Sequence, residues 1–421
     1  VEKKLTAVTG FKDILPEQSS SYGLIEEFCR ELFARSGFKE IRTPMLEKTE
    51  LFTRGIGEGT DIVEKEMYTF LDKNGESLTL RPEGTAPVVR AYIEHNIGMQ
   101  EQIFKAFYIG PMFRHERPQK GRFRQFHQIG VEIFNVASPS AEAELIVLLD
   151  TIQKQFEIKN LMLQVNSVGC PRCRPEYSTK LQKYLQQNKN KLCDNCRRRM
   201  EVNPLRTLDC KNESCRTVLE LAPVISGQLC DECKLHFNLL QQLLGELNIK
   251  FQLNPHLVRG LDYYTKTCFE LVTPEEGAQN AIAAGGRYDN LIQMLGGNPT
   301  PAVGFAIGLE RLLRHANIEI NTSRPSLFIA TLGTNAFSTS LKLANLLRKK
   351  GLYVETGYGD RSLKSQMRLA DKLKARFVLM VGEDELKSRV AILKNMDNSE
   401  QTKIPIDSEE TFLNSILNKL K

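Results

Sequence analysis

Residues 103–134 limit what this chain can fold into more than any other stretch. Two runs, IFKAFYIGPMFRHER and RFRQFHQIGVEIF, are joined by the polar tip PQKG. Both are rich in aromatic and β-branched residues, which predicts a long antiparallel hairpin. Side chains two apart share one face of a strand. Ile129, Val131 and Ile133 therefore point to a core, while Phe126, Gln128, Gly130 and Glu132 point the other way. On the partner strand Met112, Arg114 and Glu116 share a face. A wall of Arg, Glu, Gln and an aromatic ring is either a solvated sheet face or a ligand platform. Phe126 and Gly130 favour the platform, because they suit a planar ligand and a close approach.

The hairpin belongs to a chain of 421 residues, 41 % hydrophobic and 26 % charged, which excludes general disorder. That length supports about two to four domains. The longest apolar runs, such as Leu145 to Leu149, are too short to span a bilayer. The first residues, VEKKLTAVTG, lack the apolar stretch of a secretory leader, so a soluble protein is expected.

Helical spacing of Leu24, Ile25, Phe28, Leu32 and Phe33 predicts a helix over 16–36, stopped by Gly37. A short strand and a break at Pro44 come next. MYTFLD and NGESLTLRPEG then read as strands around an Asn74-Gly75 turn. PVVRAYIEHNI and AEAELIVLLDTIQKQF read as helices. From Pro325 onward strands and helices alternate, which predicts a small α/β domain with parallel pairing.

Between about residue 168 and Leu257 the texture changes. Residues 170–235 hold 13 Lys/Arg against 8 Asp/Glu, and residues 325–421 hold 16 against 11. The rest of the chain is mildly acidic. Two separate basic regions suit a large polyanion touched at more than one place, although scattered surface charge gives the same arithmetic. Eight of the ten cysteines lie in the first basic region, as CPRC (170–173), CDNC (193–196), CKNESC (210–215) and CDEC (230–233). In a reducing compartment such spacing favours two structural zinc sites of four thiolates each, drawn from Cys170, Cys173, Cys193, Cys196, Cys210, Cys215, Cys230 and Cys233. Unligated thiols and redox pairs stay open, as does the pairing. Cys29 and Cys268 sit among apolar residues and are expected to be packing thiols.

FRHE at Phe113–Glu116, a basic loop, Arg122 and Phe126 resemble motif 2 of the class II aminoacyl-tRNA synthetases. Pro44 with its preceding helix and strand resembles motif 1, and GFAIGLERLL, with Gly304, Gly308, Glu310 and Arg311, resembles motif 3. LVRGLDYYTKTCFE (257–270), AAGGRYDNL (283–291), RPEGT (81–85) and FKDILP near the start narrow the resemblance to the histidyl-tRNA synthetase family, bacterial type. These blocks cover essentially the whole chain in the family's order.

The resemblance implies an α+β fold, an antiparallel sheet flanked by helices, with a helical insertion and a C-terminal α/β anticodon-binding domain. It divides the chain into catalytic segments 1–168 and 255–320, an insertion at 169–254 and an anticodon-binding domain at 325–421. It implies activation of L-histidine by ATP with Mg²⁺, then transfer to tRNA(His), by a cytoplasmic homodimer. Arg259 and Arg114 are the implied catalytic residues. Glu116, Arg122, Phe126 and Arg311 join Arg114 around ATP, with Phe126 on the adenine and Arg311 near the γ-phosphate. Glu83, Thr85 and Gln128 are placed at the α-amino group, Glu132 and Tyr264 at the imidazole, and Tyr263 and Tyr288 along the pocket. Gln119 and Lys120 are implied to touch the tRNA acceptor end. Gly285 and Gly286 are expected to let the backbone approach the ligand. Zinc is not a general requirement of this family. The rival implied reading is a silent paralogue that regulates ATP phosphoribosyltransferase; such proteins lack the anticodon domain and parts of the histidine blocks, both kept here.

Overall fold

The computed structural model describes residues 4–57, 59–116, 122–273, 281–318, 324–358 and 361–420. The chain divides into two compact units, residues 1–318 and 319–421.

The first unit begins with the helix Pro16–Arg35, which buries Ile25, Cys29 and Phe33. Pro16 sits in its first turn, where a missing N–H costs nothing, and Gly37 at φ +82° follows its end. Strand β1 (Lys39–Glu40) is followed by a small antiparallel sheet of β2 (Leu46–Lys48), β3 (Tyr68–Leu71) and β4 (Ser77–Leu80). The predicted hairpin is β5 (Phe104–Phe113) and β6 (Gln125–Phe134), in register from Phe104 opposite Phe134 to Phe113 opposite Gln125. β7 (Met162–Gly169), β8 (Phe251–Leu253), β9 (Thr265–Val272), β10 (Ala281–Arg287) and β11 (Ala302–Gly308) complete an eight-stranded sheet. Its order is β1-β5-β6-β11-β10-β9-β7-β8, antiparallel except at the two edges, where β1 pairs with β5 and β7 with β8 in parallel.

The period-two reading of the hairpin holds. Ile129, Val131 and Ile133 are buried in the core under one face, with Leu145, Leu149 and Leu240 from the covering helices. Met112 and Tyr108 belong to the core on the other face. Burying each such Ile or Leu contributes about 1.5–3 kcal/mol. Cys29 and Cys268 are packing thiols: both are fully buried, and burial pushes each up to about 12.

One buried polar cluster ties the layers together. Arg287, at the end of β10, and Glu142, in the helix Ser140–Gln155, are both fully buried and ion-paired. His236 of the helix Asp231–Glu246 meets the same carboxylate at 2.6 Å. Burial opposes the Glu142 charge, but Arg287 and His236 outweigh it and hold the carboxyl down at about 2. Arg287 also donates to the Val136 carbonyl at 2.8 Å. The end of β10, from which Tyr288 projects, is therefore held by charge-assisted bonds as well as by its ladder.

Residues between β7 and β8 form the helices Arg174–Gln187, Asp194–Val202, Glu213–Leu219 and Asp231–Glu246. Tyr177, Leu181, Leu185 and Met200 build a small core there, and the cysteines line it. The last of these helices returns to the main core through Leu240 and Leu244.

The second unit holds β12 (Leu327–Thr331), β13 (Val354–Thr356), β14 (Phe377–Val381), β15 (Val390–Asn395) and β16 (Gln401–Pro405), in the order β13-β12-β14-β15-β16. Pairing is parallel across β13-β12-β14, as expected, but antiparallel from β14 to β16. The reason is connection length. Residues 382–389 are too few for a parallel crossover, which needs a dozen or more.

Candidate active site

A cleft of about 590 Å³ opens on the platform face of the large sheet. Glu83, Arg114, Gln128, Arg259, Tyr288 and Arg311 all line it, although they come from separate stretches of chain.

One end is built for a small polar ligand. Glu83 is buried, and its carboxylate accepts the backbone N–H groups of Thr85 and Ala86 at 2.7 and 2.8 Å, capping the helix Thr85–Glu94. Burial raises its pKa. The Thr85 hydroxyl donates to Glu132 Oε1 at 2.7 Å, and the Tyr288 hydroxyl donates to Oε2. Glu132 is fully buried, and burial pushes its carboxyl up to about 8 against those two hydrogen bonds, with the nearby Glu83 charge adding. Gly304 faces Glu132 across the β6–β11 ladder, where a Cβ would fall 1.6 Å from the carboxylate, so only glycine fits. The Tyr263 and Tyr264 rings lie 4.8 Å apart at a 40° tilt, and Tyr263 meets Tyr288 edge-on at 5.6 Å. Among the described residues, Gln128 Oε1 is buried without a hydrogen-bond partner, an acceptor left for a ligand.

The other end is cationic. Arg114 donates to the Pro82 carbonyl at 2.8 Å and lies 5.2 Å from the Phe126 ring. Arg122 pairs with Glu116, which also stands 3.9 Å from Arg114. Arg311 donates to the Ala281 carbonyl at 2.6 Å. Its neighbour Glu310 also lines the cleft and accepts from the backbone N–H of His127 at 2.9 Å. Across the cleft Arg259 pairs with Glu270 and lies 5.7 Å from the Tyr264 ring. Burial works against its charge, but the Glu270 carboxylate outweighs burial and raises the guanidinium above its ordinary value.

The residues expected to be catalytic or to bind histidine and ATP therefore meet in this cleft or just beneath it, while Gln119 and Lys120 lie outside the described residues. Thr85 lines the cleft and donates its hydroxyl to Glu132, which leaves the oxygen lone pairs to accept from a ligand. Three glycines need a different explanation from the expected one. A Cβ on Gly130 would lie 2.2 Å from the Tyr108 ring, so this glycine makes room for Tyr108, its cross-strand partner, and not for a ligand. Gly285 and Gly286 are likewise filled by the protein itself, with the Gly304 and Thr267 carbonyls 2.3 and 2.4 Å from where a Cβ would stand. Tyr108 was not legible as a site residue. Its hydroxyl is buried beside Glu83 and Glu132 without a geometric partner among the described residues. Only the register of the hairpin, which depends on the turn, places it there.

The cysteines form two groups, and the pairing is nested. Cys170, Cys173, Cys230 and Cys233 make the outer group, and Cys193, Cys196, Cys210 and Cys215 the inner one, with all Sγ atoms of a group within 4.8 Å of one another. Each group could hold a metal ion. Sulfur separations include 3.6 Å for Cys170–Cys173 and 3.9 Å for both Cys170–Cys230 and Cys193–Cys210. The Cys230 N–H donates to Cys173 Sγ and the Cys193 N–H to Cys215 Sγ, both at 3.1 Å, bonds that favour thiolates.

An antiparallel sheet carrying an arginine-lined cleft beside a buried carboxylate, with a separate small α/β unit, is the arrangement that the resemblance to the class II aminoacyl-tRNA synthetases implies. The family model described as Histidyl-tRNA synthetase matches residues 10–312, and the one described as Anticodon binding domain matches 326–416. The histidine–tRNA ligase of Trichlorobacter lovleyi is 49 % identical over 404 residues, covering 96 % of each chain. That of Thermodesulfovibrio yellowstonii is 51 % identical over 400 residues, covering 94 % of this chain and 95 % of its own. The crystal structure of apo S. aureus histidyl-tRNA synthetase superposes with a TM-score of 0.80 at 38 % identity, covering 97 % of this chain and all of the other. The chain belongs to the histidyl-tRNA synthetase family.

Proposed function

We propose that this chain activates L-histidine with ATP to histidyl adenylate and pyrophosphate, then transfers histidine to the 3′ end of tRNA(His). The observation that carries this reading is one cleft joining the Glu132–Thr85–Tyr288 clamp to Arg114, Arg259 and Arg311. Activation is attack of the histidine carboxylate on the α-phosphate, with pyrophosphate leaving. The attacking group is already an anion, so the protein's work is positioning and fixed positive charge. Arginine suits that work because its planar fork meets phosphate bidentately and keeps its charge.

In this reading Arg114 and Arg259 stand on opposite sides of the α-phosphate, and Arg311 holds the γ-phosphate of the Mg²⁺-bound nucleotide. Glu116 and Arg122 hold each other beside the nucleotide, and Phe126 carries the adenine. Glu83, Thr85 and Gln128 surround the α-ammonium, Glu132 and Tyr264 take the imidazole, and Tyr263 and Tyr288 wall the pocket. A pocket of buried polar partners rejects isosteres that leave those partners unpaired. Gln119 and Lys120 reach the acceptor end, and residues 325–421, with their excess of basic side chains, hold the anticodon arm. The motif 1 segment forms the interface of a cytoplasmic homodimer. Among the described residues no helix is long and apolar enough to cross a membrane.

The deciding measurement is histidine-dependent ATP–pyrophosphate exchange with the whole chain. Exchange well above the histidine-free background is expected. Its absence would overturn the reading in favour of a silent paralogue.

The two cysteine groups hold structural zinc in the same reading. Four thiolates around zinc at about 2.3 Å stand about 3.8 Å apart, which is the spacing the sulfurs keep. A closed shell of four thiolates leaves no position for substrate, so the metal supplies cross-links to a module with a small core. Protein purified without added metal is expected to carry two zinc ions per chain, one for each group. Elemental analysis giving a content near zero would sink the assignment.

A further inference from the structure

Unlike Arg311, which sits in the helix Leu309–His315, Arg259 is carried in the middle of an irregular segment, residues 254–264, between β8 and β9. A strand or helix sets its residues through its own ladder, whereas a loop must be held by other groups. The carbonyls of this loop show what holds it. Asn166 of β7 donates to those of Pro255 and Leu257 at 3.2 and 2.9 Å. The Ile56 carbonyl accepts the Asp262 N–H at 3.0 Å, and two further anchors are arginines of the insertion. Arg206 donates to the Arg259 carbonyl at 2.8 Å, and Arg174 donates to that of Tyr264.

Both arginines are tethered to the cysteine groups. Arg174 follows Cys173 of the outer group directly, and Arg206 lies in the stretch whose two ends, Cys196 and Cys210, meet in the inner group. That stretch docks on the catalytic body along its length. Arg198 pairs with Glu64 at 2.6 Å, Arg199 pairs with Asp61, and Asn203 donates to Asp262 at 3.0 Å. Arg206 is only 7 % exposed. Its charge faces the Asp262 carboxylate at 3.8 Å, and its Nε is buried without a hydrogen-bond partner among the described residues. A buried guanidinium so thinly compensated is costly for stability alone. What it holds is the backbone of the catalytic arginine.

We infer that the insertion is a two-point clamp on the loop carrying Arg259. Arg206 and Arg174 are positioning residues for the activation step, and closure of the inner cysteine group sets the grip of Arg206. The kinetic part rests on the proposed activation of histidine; the structural part does not. The clamp explains why a module that touches no reacting atom is tied to the sheet beside the cleft. Its cysteine cross-links fix the distance between the insertion and the loop, so a shift there moves Arg259. A misplacement of about 1 Å is worth on the order of 100-fold in rate.

The test uses the full chain with Arg206→Ala, Arg206→Lys, Cys196→Ser and the Arg206→Ala/Cys196→Ser double variant. Arg206→Ala is expected to lower kcat for pyrophosphate exchange about 100-fold with a much smaller change in the KM for ATP, and to keep both zinc ions. Lysine, which can still donate to the Arg259 carbonyl, is expected to recover most of the loss. Cys196→Ser is expected to lose one zinc and a similar share of kcat, and the double variant to fall no further, because both changes break one path. Independently of activity, amide hydrogen exchange is expected to speed up in residues 257–264 of Arg206→Ala and Cys196→Ser, with β6 and β11 unchanged. Wild-type kcat in Arg206→Ala, multiplicative losses in the double variant, or unchanged protection of 257–264 would each overturn the clamp. A wild type without exchange activity would remove the proposed function and leave the amide measurement to decide the clamp.

Discussion

Histidine in place of Arg259 is expected to reduce histidine-dependent ATP–pyrophosphate exchange by about 1000-fold, mainly in kcat. Arg259 brings a full charge to the cleft, kept on the guanidinium by Glu270 in spite of burial. An imidazole is shorter and largely neutral at the assay pH, so it can neither span the gap nor supply fixed charge to the phosphoryl oxygens. Part of any loss could come from leaving Glu270 without its partner. Adding Glu270→Gln to the variant separates the two effects: thermal stability is expected to recover, and exchange is not. Retention of more than a tenth of wild-type exchange by Arg259→His would show that the charge is not needed where the proposed mechanism puts it.

Glu132→Gln is expected to raise the KM for histidine about 10- to 100-fold, the worth of a hydrogen bond to a charged group. Thr85 and Tyr288 both donate to this carboxylate, so an amide can satisfy only one of them with its oxygen and turns an N–H toward the other. The same residue gives a pH signature. Its folded pKa, raised to about 8 chiefly by burial, lies above its ordinary value of 4.5. The group therefore contributes stability that is complete below 4.5 and lost as pH rises through about 8. Without ligand, the melting temperature of the glutamine variant relative to wild type is expected to rise between about pH 6 and 8. The Tyr108, Tyr264 and Tyr288 hydroxyls face the same carboxyl, and burial keeps their protons on through this range; burial also raises the neighbouring Glu83. Histidine needs the carboxylate as acceptor, so its wild-type KM, corrected for the share of free histidine whose imidazole is protonated, is expected to fall from about pH 7 to 8. A flat wild-type profile, or a glutamine variant with unaltered KM, would remove Glu132 from the imidazole site.

The hairpin and its two faces were readable because strand periodicity is local: each side chain's direction follows from its neighbours along the chain. The motif arginines and carboxylates were readable for a related reason, since each sits in a short block whose residues act together. Gly130 was misread because its neighbour is set by cross-strand register, and Tyr108 opposite it gave no signal along its own strand. The second unit shows the same division. Its strands were visible, yet the switch to antiparallel pairing after β14 follows from how little chain lies between β14 and β15.

The cysteine block marks the boundary most sharply. By itself the sequence determined that four close pairs exist and that they can ligate metal. It could not say which pair meets which. Joining Cys170 to Cys193 or to Cys230 differs in loop-closure cost by only about 1 kcal/mol, too little to choose between them. Tertiary structure made the choice, because the outer pairs stand where the chain leaves β7 and enters the helix returning to the core. The hydrogen bond from Arg206 to the Arg259 carbonyl has the same origin. Periodicity and motif are written between neighbours in sequence. A bond between residues 53 apart exists only once the sheet, the insertion and the loop have been packed together.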